Sequence, residues 1–383
     1  MASSNKVKSL TIVQSLHAFP PDMGGIETHA YNLCLELAKC GHKVIVHTSK
    51  HKDCAQIDDE LKRAGIIVKR HFSISIPGFS SVKIFPFLCI WLALENADIY
   101  HSHGFGSLVP FSTAFASLIK RKKFVWTIHG IPKLNGFKFI FTSIYSLFAT
   151  FPLLVAKNLI CVSDSAKNGL PKFAQQKSTV IPNGVSNVFF DQNQKPEKTS
   201  KKNDIFKILF VGRLDKSKGI FMLAQAFNSF RKKHDSSLSY NGPDEANNKQ
   251  KLLQYAKENN FCIEFSHLPM MHMPNAYAQA NVTVLPSDYE GFGLSIIESW
   301  ASKTPAISTC VGIAPQFFKY VFNEDAHNFL FHDEKSLIKS LEFIHSLTAN
   351  QVEDYCKKAK DSLKDYSWKN VTQLTLQVYS CSN

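Results

Sequence analysis

Long clean apolar runs, closely spaced cysteine pairs and dinucleotide-type glycine loops are all missing from this 383-residue chain. No stretch reaches the roughly twenty uncharged apolar residues of a spanning helix, so a transmembrane segment is not expected. The nearest candidate, residues 137–155 (FKFIFTSIYSLFATFPLLV), contains Lys138, several hydroxyls and Pro152. It reads as a buried or surface-exposed apolar helix. The nine cysteines form no CxxC pair and no zinc-like cluster. Their odd number, with a strand-like run close to the N-terminus in place of an export signal, implies reduced thiols in a cytoplasmic protein, mostly as small core residues. The sequons at Asn281 and Asn370 then read as chance matches. No GxGxxG opens either half, which disfavours a dinucleotide oxidoreductase. No short solenoid-type repeat is present. Acid is in short supply, with 31 acidic residues against 44 basic ones and a net charge of +13. That imbalance favours an anionic partner, whether nucleotide, phospho-ligand, nucleic acid or acidic lipid.

What is present is a regular alternation. Short β-branched runs at 10–16, 43–49, 97–103, 123–129 and 158–163 are separated by helix-length segments. Between the first two, Ala30, Leu33, Cys34, Leu37 and Ala38 recur at three and four, one apolar face of a helix that Gly41 ends. A polar, lysine-rich run at 191–204, DQNQKPEKTSKKND, has no apolar period and reads as a linker. The alternation resumes at 206–212, 261–267, 280–287 and 304–310. Repeated βα units predict parallel sheets covered on both faces, here two doubly wound α/β domains. The expected boundaries are 1–190 for the first domain, 191–204 for the linker and 205–366 for the second. Open sheets of this kind bind ligands beyond the carboxyl ends of their strands, so a central cleft faced by both sheets is expected to hold the site.

Two strand ends carry the chemistry. Val211-Gly-Arg-Leu-Asp-Lys-Ser-Lys-Gly219 follows a strand and precedes a helix, so that Arg213 and Lys218 project cations beside a helix N-terminus. A forked guanidinium, a point-charge ammonium and free amides suit a diphosphate, although a solvated basic turn has the same composition. The second end, Glu290-Gly-Phe-Gly-Leu-Ser-Ile-Ile-Glu298, puts two acids on either side of a flexible turn and a helix start. Carboxylates accept bidentate hydrogen bonds from vicinal diols, so the pair could grip a ribose and a hexose with the phosphates between them.

Together with PPDMGGIETHAYNL, VIPNGV, GPDE and the closing SWKNVTQLTLQVY, these motifs cover nearly the whole chain in one order. The chain so resembles a retaining glycosyltransferase of family 4, an enzyme of the GT-B architecture with two Rossmann-like domains. The resemblance implies that Arg213 and Lys218 bind the donor diphosphate and stabilise the leaving group. Glu298 would bind the ribose, and Glu290 the transferred sugar, with the amides of Phe292, Gly293 and Leu294 near its phosphate or ring. Gly24 and Gly25 match the glycine loop that approaches the donor phosphates, and His129 matches a histidine beside the reacting sugar. The C-terminal helix, about 367–383, would cross back to the first domain. His101 and His103, also at a strand end, are left outside the catalytic set. The chain departs from the family at Lys303, where glycine is usual, at Ser186, at Tyr240 and Asn241, and in Val311-Gly-Ile-Ala-Pro-Gln316.

The implied reaction moves a hexose from a GDP- or UDP-sugar to a hydroxyl acceptor, with retention and without metal or cofactor. Acceptor candidates are a lipid-linked or cell-surface glycan precursor, or a small molecule. The basic, apolar segments 82–94 and 133–148 suggest either peripheral contact with an anionic membrane, at its cytoplasmic face, or simple packing of helices on a sheet. Alternatives are a sugar-nucleotide epimerase or phosphorylase on the same fold. A basic nucleic-acid-binding protein is a further alternative, although no aromatic-basic stacking motif supports it.

Overall fold

The computed structural model describes residues 9–22, 24–76, 79–105, 107–131, 148–190, 205–244 and 247–381. The expected linker 191–204 and nearly all of the apolar segment 133–148 lie outside the described residues. The chain divides into two compact units, Met1–Gly184 with Trp368–Asn383, and Val185–Ser367. Residues 185–190, expected in the first domain, pack with the second. Val185 bridges to Ser367 and the Phe189 ring lies 6.0 Å from that of Tyr277.

The first unit runs β1 (Thr11–Ser15), α1 (Gly25–Lys39), β2 (Lys43–Ser49), α2 (Ala55–Arg63), β3 (Ile66–His71), β4 (Ile74–Ile76), β5 (Phe79–Ile84), α3 (Leu88–Leu94), β6 (Ile99–His103), α4 (Val109–Lys120), β7 (Lys123–Ile128), α5 (148–155), β8 (Asn158–Cys161), α6 (Asp164–Asn168), α7 (Lys172–Gln176) and β9 (Ser178–Val180). Seven strands form one parallel sheet in the order β3-β2-β1-β6-β7-β8-β9, and β4 and β5 form a separate antiparallel hairpin. Successive strand residues face opposite sides, so the sheet has two cores. Val13, Phe124 and Trp126 join one, and Ile12, Val125 and Leu33 the other. Residues buried on both faces make the strands read as continuous apolar runs.

The second unit runs β10 (Phe206–Val211), α8 (Ile220–Phe230), β11 (Ser236–Asn241), α9 (Asn248–Glu258), β12 (Glu264–Ser266), α10 (Met273–Gln279), β13 (Val282–Leu285), α11 (Leu294–Ala301), β14 (Ala306–Thr309), α12 (Ala314–Phe322), β15 (Leu330–Phe331), α13 (Glu334–Ser346) and α14 (Ala349–Ser362). Its parallel sheet has the order β12-β11-β10-β13-β14-β15. The chain ends in α15 (Trp368–Ser380), which returns to the first unit. There Trp368, Val371, Val378 and Tyr379 share a core with Leu33 and Leu37 of α1. Each unit is the doubly wound α/β domain that the alternation predicts.

In each sheet the chain reverses its direction of growth once, between β1 and β6 in the first unit and between β10 and β13 in the second. Loops leaving adjacent strands toward opposite faces open a crevice at that point, where such sheets take ligands. Three of the nine cysteines, Cys34, Cys161 and Cys356, are buried and all nine are free thiols. The expectation that most are core residues does not hold, because positions such as Cys40 and Cys381 follow helix ends. Among the described residues no helix is long and apolar enough to cross a membrane.

Candidate functional site

The second unit's crevice is built from glycines that let backbone meet backbone. Gly219 stands at φ 68°, and a Cβ there would come within 1.9 Å of the Pro286 carbonyl oxygen. Gly242 would likewise strike the Gly212 carbonyl at 2.0 Å, and Gly312 that of Phe292 at 2.2 Å. The loops after β10, β11, β13 and β14 are thereby locked together, and only glycine permits it. A backbone bond from Asp288 N to Ser217 O, 2.8 Å, adds a further pin.

Within the loop after β10, Asp215 caps a single 3-10 turn. Its Oδ1 accepts from the Ser217 amide at 2.9 Å and hydroxyl at 2.6 Å. The Ser217 hydroxyl, first among several donors and cations, holds the Asp215 carboxyl below its ordinary value. Buried Leu214 anchors the loop, Arg213 is exposed on it, and Lys218 ends the turn. Lys218 Nζ donates to Glu290 Oε1 at 2.7 Å, and the same oxygen accepts from Ser287 Oγ at 2.8 Å. Both charged side chains are mostly shielded, at 18% and 16% exposure, so this contact is tighter than an ordinary surface pair.

Beyond Glu290 the chain turns through Gly293, at φ 93°, into α11. Phe292 buries its ring, and its carbonyl accepts from the Ile313 amide at 2.8 Å. Ile296, Ile297 and Ala301 face the core, while Glu298 on the same helix stays partly exposed. Glu298 Oε2 accepts from the Tyr277 hydroxyl at 2.8 Å. Burial lifts the Glu298 carboxyl to about 7, against the opposing pull of that hydroxyl. The two acids of the E-x7-E segment therefore differ. Glu290 is tied to a cation, whereas Glu298 is held by a phenol in a poorly solvated pocket.

In the first unit Gly24 caps α1 and Gly25 begins it; both are exposed, and the Glu27 carboxylate accepts from the Gly24 backbone. Asp244 of the GPDE motif accepts from the amides of Asn248 and Lys249, 2.8 and 3.0 Å, at the start of α9; Glu245 lies outside the described residues. His129, just past β7, sits in a cluster of imidazoles. Its ring is 4.7 Å from that of His29, and His103 Nδ1 lies 3.4 Å from His129 Nε2. Burial, before any neighbouring charge, drives His129 and His103 well below the ordinary histidine value, and takes His29 to about 4.

The structure thus brings Arg213, Lys218, Glu290 and the turn Phe292–Gly293–Leu294 to one crevice, with Glu298 on the helix that follows. His129, Gly24 and Gly25 belong to the other unit. Tyr277, Ser287, His29 and His103 join the two clusters from outside the set of site residues that the sequence yields. His29 has a readable signal, because it sits one turn before Leu33 on the apolar face of α1 and is itself buried. Lys303 occupies a left-handed position, φ 58°, which explains why glycine is usual there.

A family model described as Glycosyltransferase Family 4 matches residues 23–187, and one described as Glycosyl transferases group 1 matches 191–361. The chain is similar to the phosphatidylinositol N-acetylglucosaminyltransferase GPI3 subunit of Saccharomyces cerevisiae (strain YJM789), with 23% identity over 94% of this chain and 81% of that protein. It is 24% identical to the corresponding gpi3 subunit of Schizosaccharomyces pombe, over 94% of this chain and 78% of that one. Among solved structures, Anabaena Alr3699/HepE in complex with UDP and glucose superposes with a TM-score of 0.77 at 15% identity, covering 97% and 100% of the two chains. A glycosyltransferase from Rickettsia africae ESF-5 superposes at 0.74 with 21% identity, covering 97% and 98%.

Proposed function

The chain belongs to the family 4 glycosyltransferases, and from that premise we propose that it moves a hexosyl unit from a nucleotide diphosphate sugar to a hydroxyl of a lipid-linked acceptor, with retention at the anomeric carbon. The observation that carries this reading is the meeting of Lys218 and Glu290 at 2.7 Å across the crevice between β10 and β13. One loop offers a cation and the other an acid beside a helix start, the pairing that a phosphate joined to a polyol asks for.

In this reading the bond from the anomeric carbon to the diphosphate breaks, and a bond to the acceptor oxygen forms on the same face. The departing phosphate takes the acceptor proton. The barrier is charge building on the leaving group, so Arg213, Lys218 and the amides of Phe292, Gly293 and Leu294 act electrostatically. Lys218 leaves Glu290 for the diphosphate when donor binds, which frees Glu290 for sugar hydroxyls. Glu298 takes the ribose. No metal or cofactor enters these steps.

The names of the two yeast relatives, with the UDP held by the Anabaena protein, make UDP-N-acetylglucosamine and phosphatidylinositol the first donor and acceptor pair to try. Apolar side chains on the first unit favour a membrane-borne acceptor. Ile90, Trp91 and Leu94 of α3, Leu118 and Ile119 of α4, and Leu154 of α5 are 50–69% exposed. Arg121 and Lys122 stand exposed where α4 ends. Apolar residues beside cations suit an anionic interface.

The test is transfer from labelled donor by the full chain, with Lys218→Ala and Glu298→Ala beside it. Both variants are expected to lose transfer while keeping the natural circular dichroism. Near-natural turnover in either sinks the assignment. Donor that changes its own configuration without acceptor would point to an epimerase instead. Flotation with anionic and neutral liposomes tests the surface: binding indifferent to lipid charge removes it.

A further inference from the structure

Three histidines from separate elements converge at the crevice end of the first unit's sheet. His29 comes from α1, His103 from the end of β6 and His129 from the loop after β7, and one ring nitrogen of each lies within 4.8 Å of the other two. His29 and His103 are buried, and His129 is half-buried.

Their tautomers follow from their partners. His29 Nδ1 donates to Asn183 Oδ1 at 2.8 Å, because an amide oxygen can only accept; its Nε2 therefore carries a lone pair. His103 Nε2 donates to Gln14 Oε1 at 2.6 Å, and the Gln14 amide nitrogen donates in turn to Tyr379 Oη at 3.2 Å. That fixes the lone pair of His103 on Nδ1. It faces His129 Nε2 at 3.4 Å, long for a hydrogen bond. The same spacing is close to the edge, about 3.3 Å, of a tetrahedron with metal–nitrogen bonds of about 2.0–2.1 Å. The Asn183 and Gln14 side-chain oxygens on the far nitrogens fix the tautomers and orientation of these two rings, as outer partners of metal-bound histidines do.

We propose that His29, His103 and His129 form a three-nitrogen site for one divalent transition metal of the zinc type, with a fourth position open on the His129 side. An all-imidazole set favours zinc, cobalt, nickel or copper over magnesium and calcium. The site uses only residues of the first unit and does not rest on the transfer reading. A metal held there occupies the His129 ring, so it would restrain any chemistry that uses that ring.

The test needs neither donor nor acceptor. The full chain, stripped with chelator, is titrated with Co2+ alone. One equivalent is expected to bind with the strong visible bands of a four-coordinate ion, and one equivalent of Zn2+ to bleach them. His29→Ala and His103→Ala should lose the bands, and Asn183→Ala should weaken binding about 10- to 100-fold. His234→Ala, from the separate pair with His345 (ring centroids 4.2 Å apart), should leave them unchanged. If the histidine variants fail to fold, X-ray absorption on the Zn2+-loaded natural chain decides, with three imidazole nitrogens expected at about 2.0–2.1 Å. A weak six-coordinate Co2+ spectrum, more than one equivalent bound, or full binding by folded His29→Ala and His103→Ala chains overturns the proposal.

Discussion

Glu298→Gln should abolish a pH dependence that the natural chain carries in its second unit. Below about pH 4.5 the carboxyl is protonated in both folded and unfolded chains and adds no pH dependence. As pH rises, the unfolded chain releases its proton near the ordinary 4.5, while the folded chain holds its own until about 7. The folded second unit is therefore stabilised at the acid end, relative to the unfolded chain, and loses that advantage as pH climbs through this window. At about 1.4 kcal/mol per pH unit the full loss is about 3 kcal/mol. The cause is burial beside Tyr277, so removing the ionisable group should remove the slope. Hydrogen exchange of the α11 amides, corrected for intrinsic rates, reads the effect locally. Between about pH 4.5 and about pH 8 the natural chain should lose protection that the Gln variant keeps. Parallel curves for the two chains would refute a poorly solvated, proton-holding Glu298 carboxyl. Donor affinity gives a second readout. A ribose gripped by an ionised carboxylate should bind more tightly above about pH 7 than below it in the natural chain, and equally at both in the variant.

The first unit should behave in the opposite sense. His29 and His17, both held near 4 chiefly by burial, must stay neutral in the folded chain. Stability should therefore fall as pH drops from about 6.5 to about 4, by up to about 3 kcal/mol per histidine, measured as an acid-shifted melting point of the natural chain against His29→Gln. Gly219→Ala forces a Cβ into the Pro286 carbonyl and a left-handed backbone onto alanine. It should lower the second unit's melting point by the equivalent of about 1–3 kcal/mol and weaken nucleotide diphosphate binding, seen by thermal shift. Lys303→Gly removes a strained left-handed side chain, φ 58°, and should stabilise by about 1 kcal/mol in a urea titration.

What the sequence conveys about this protein divides along a physical line. Strands buried on both faces show as apolar runs, so β1, β2, β6, β7, β10 and β13 are readable, and with them the loops that leave their carboxyl ends. The strand β11, SSLSYN, does not show as an apolar run, because serines precede and separate its buried Leu238 and Tyr240. Single-loop features are legible too. The glycines at 219 and 293, the cations at 213 and 218, and the acid at 290 all sit where the turns put them.

Pairings across loops depend on strand order, which no local pattern carries. Tyr277 precedes Glu298 by 21 residues and meets it because α10 packs against α11. His29, His103 and His129 meet because β6 lies between β1 and β7 in the sheet. Lys303 is intermediate. Its departure from glycine is visible in the sequence, but its meaning needs the backbone angle. With φ positive, glycine at 303 serves the chain's own turn, so its loss taxes the end of α11 before it touches any ligand. The substitution is therefore a statement about the stability of the helix that carries Glu298.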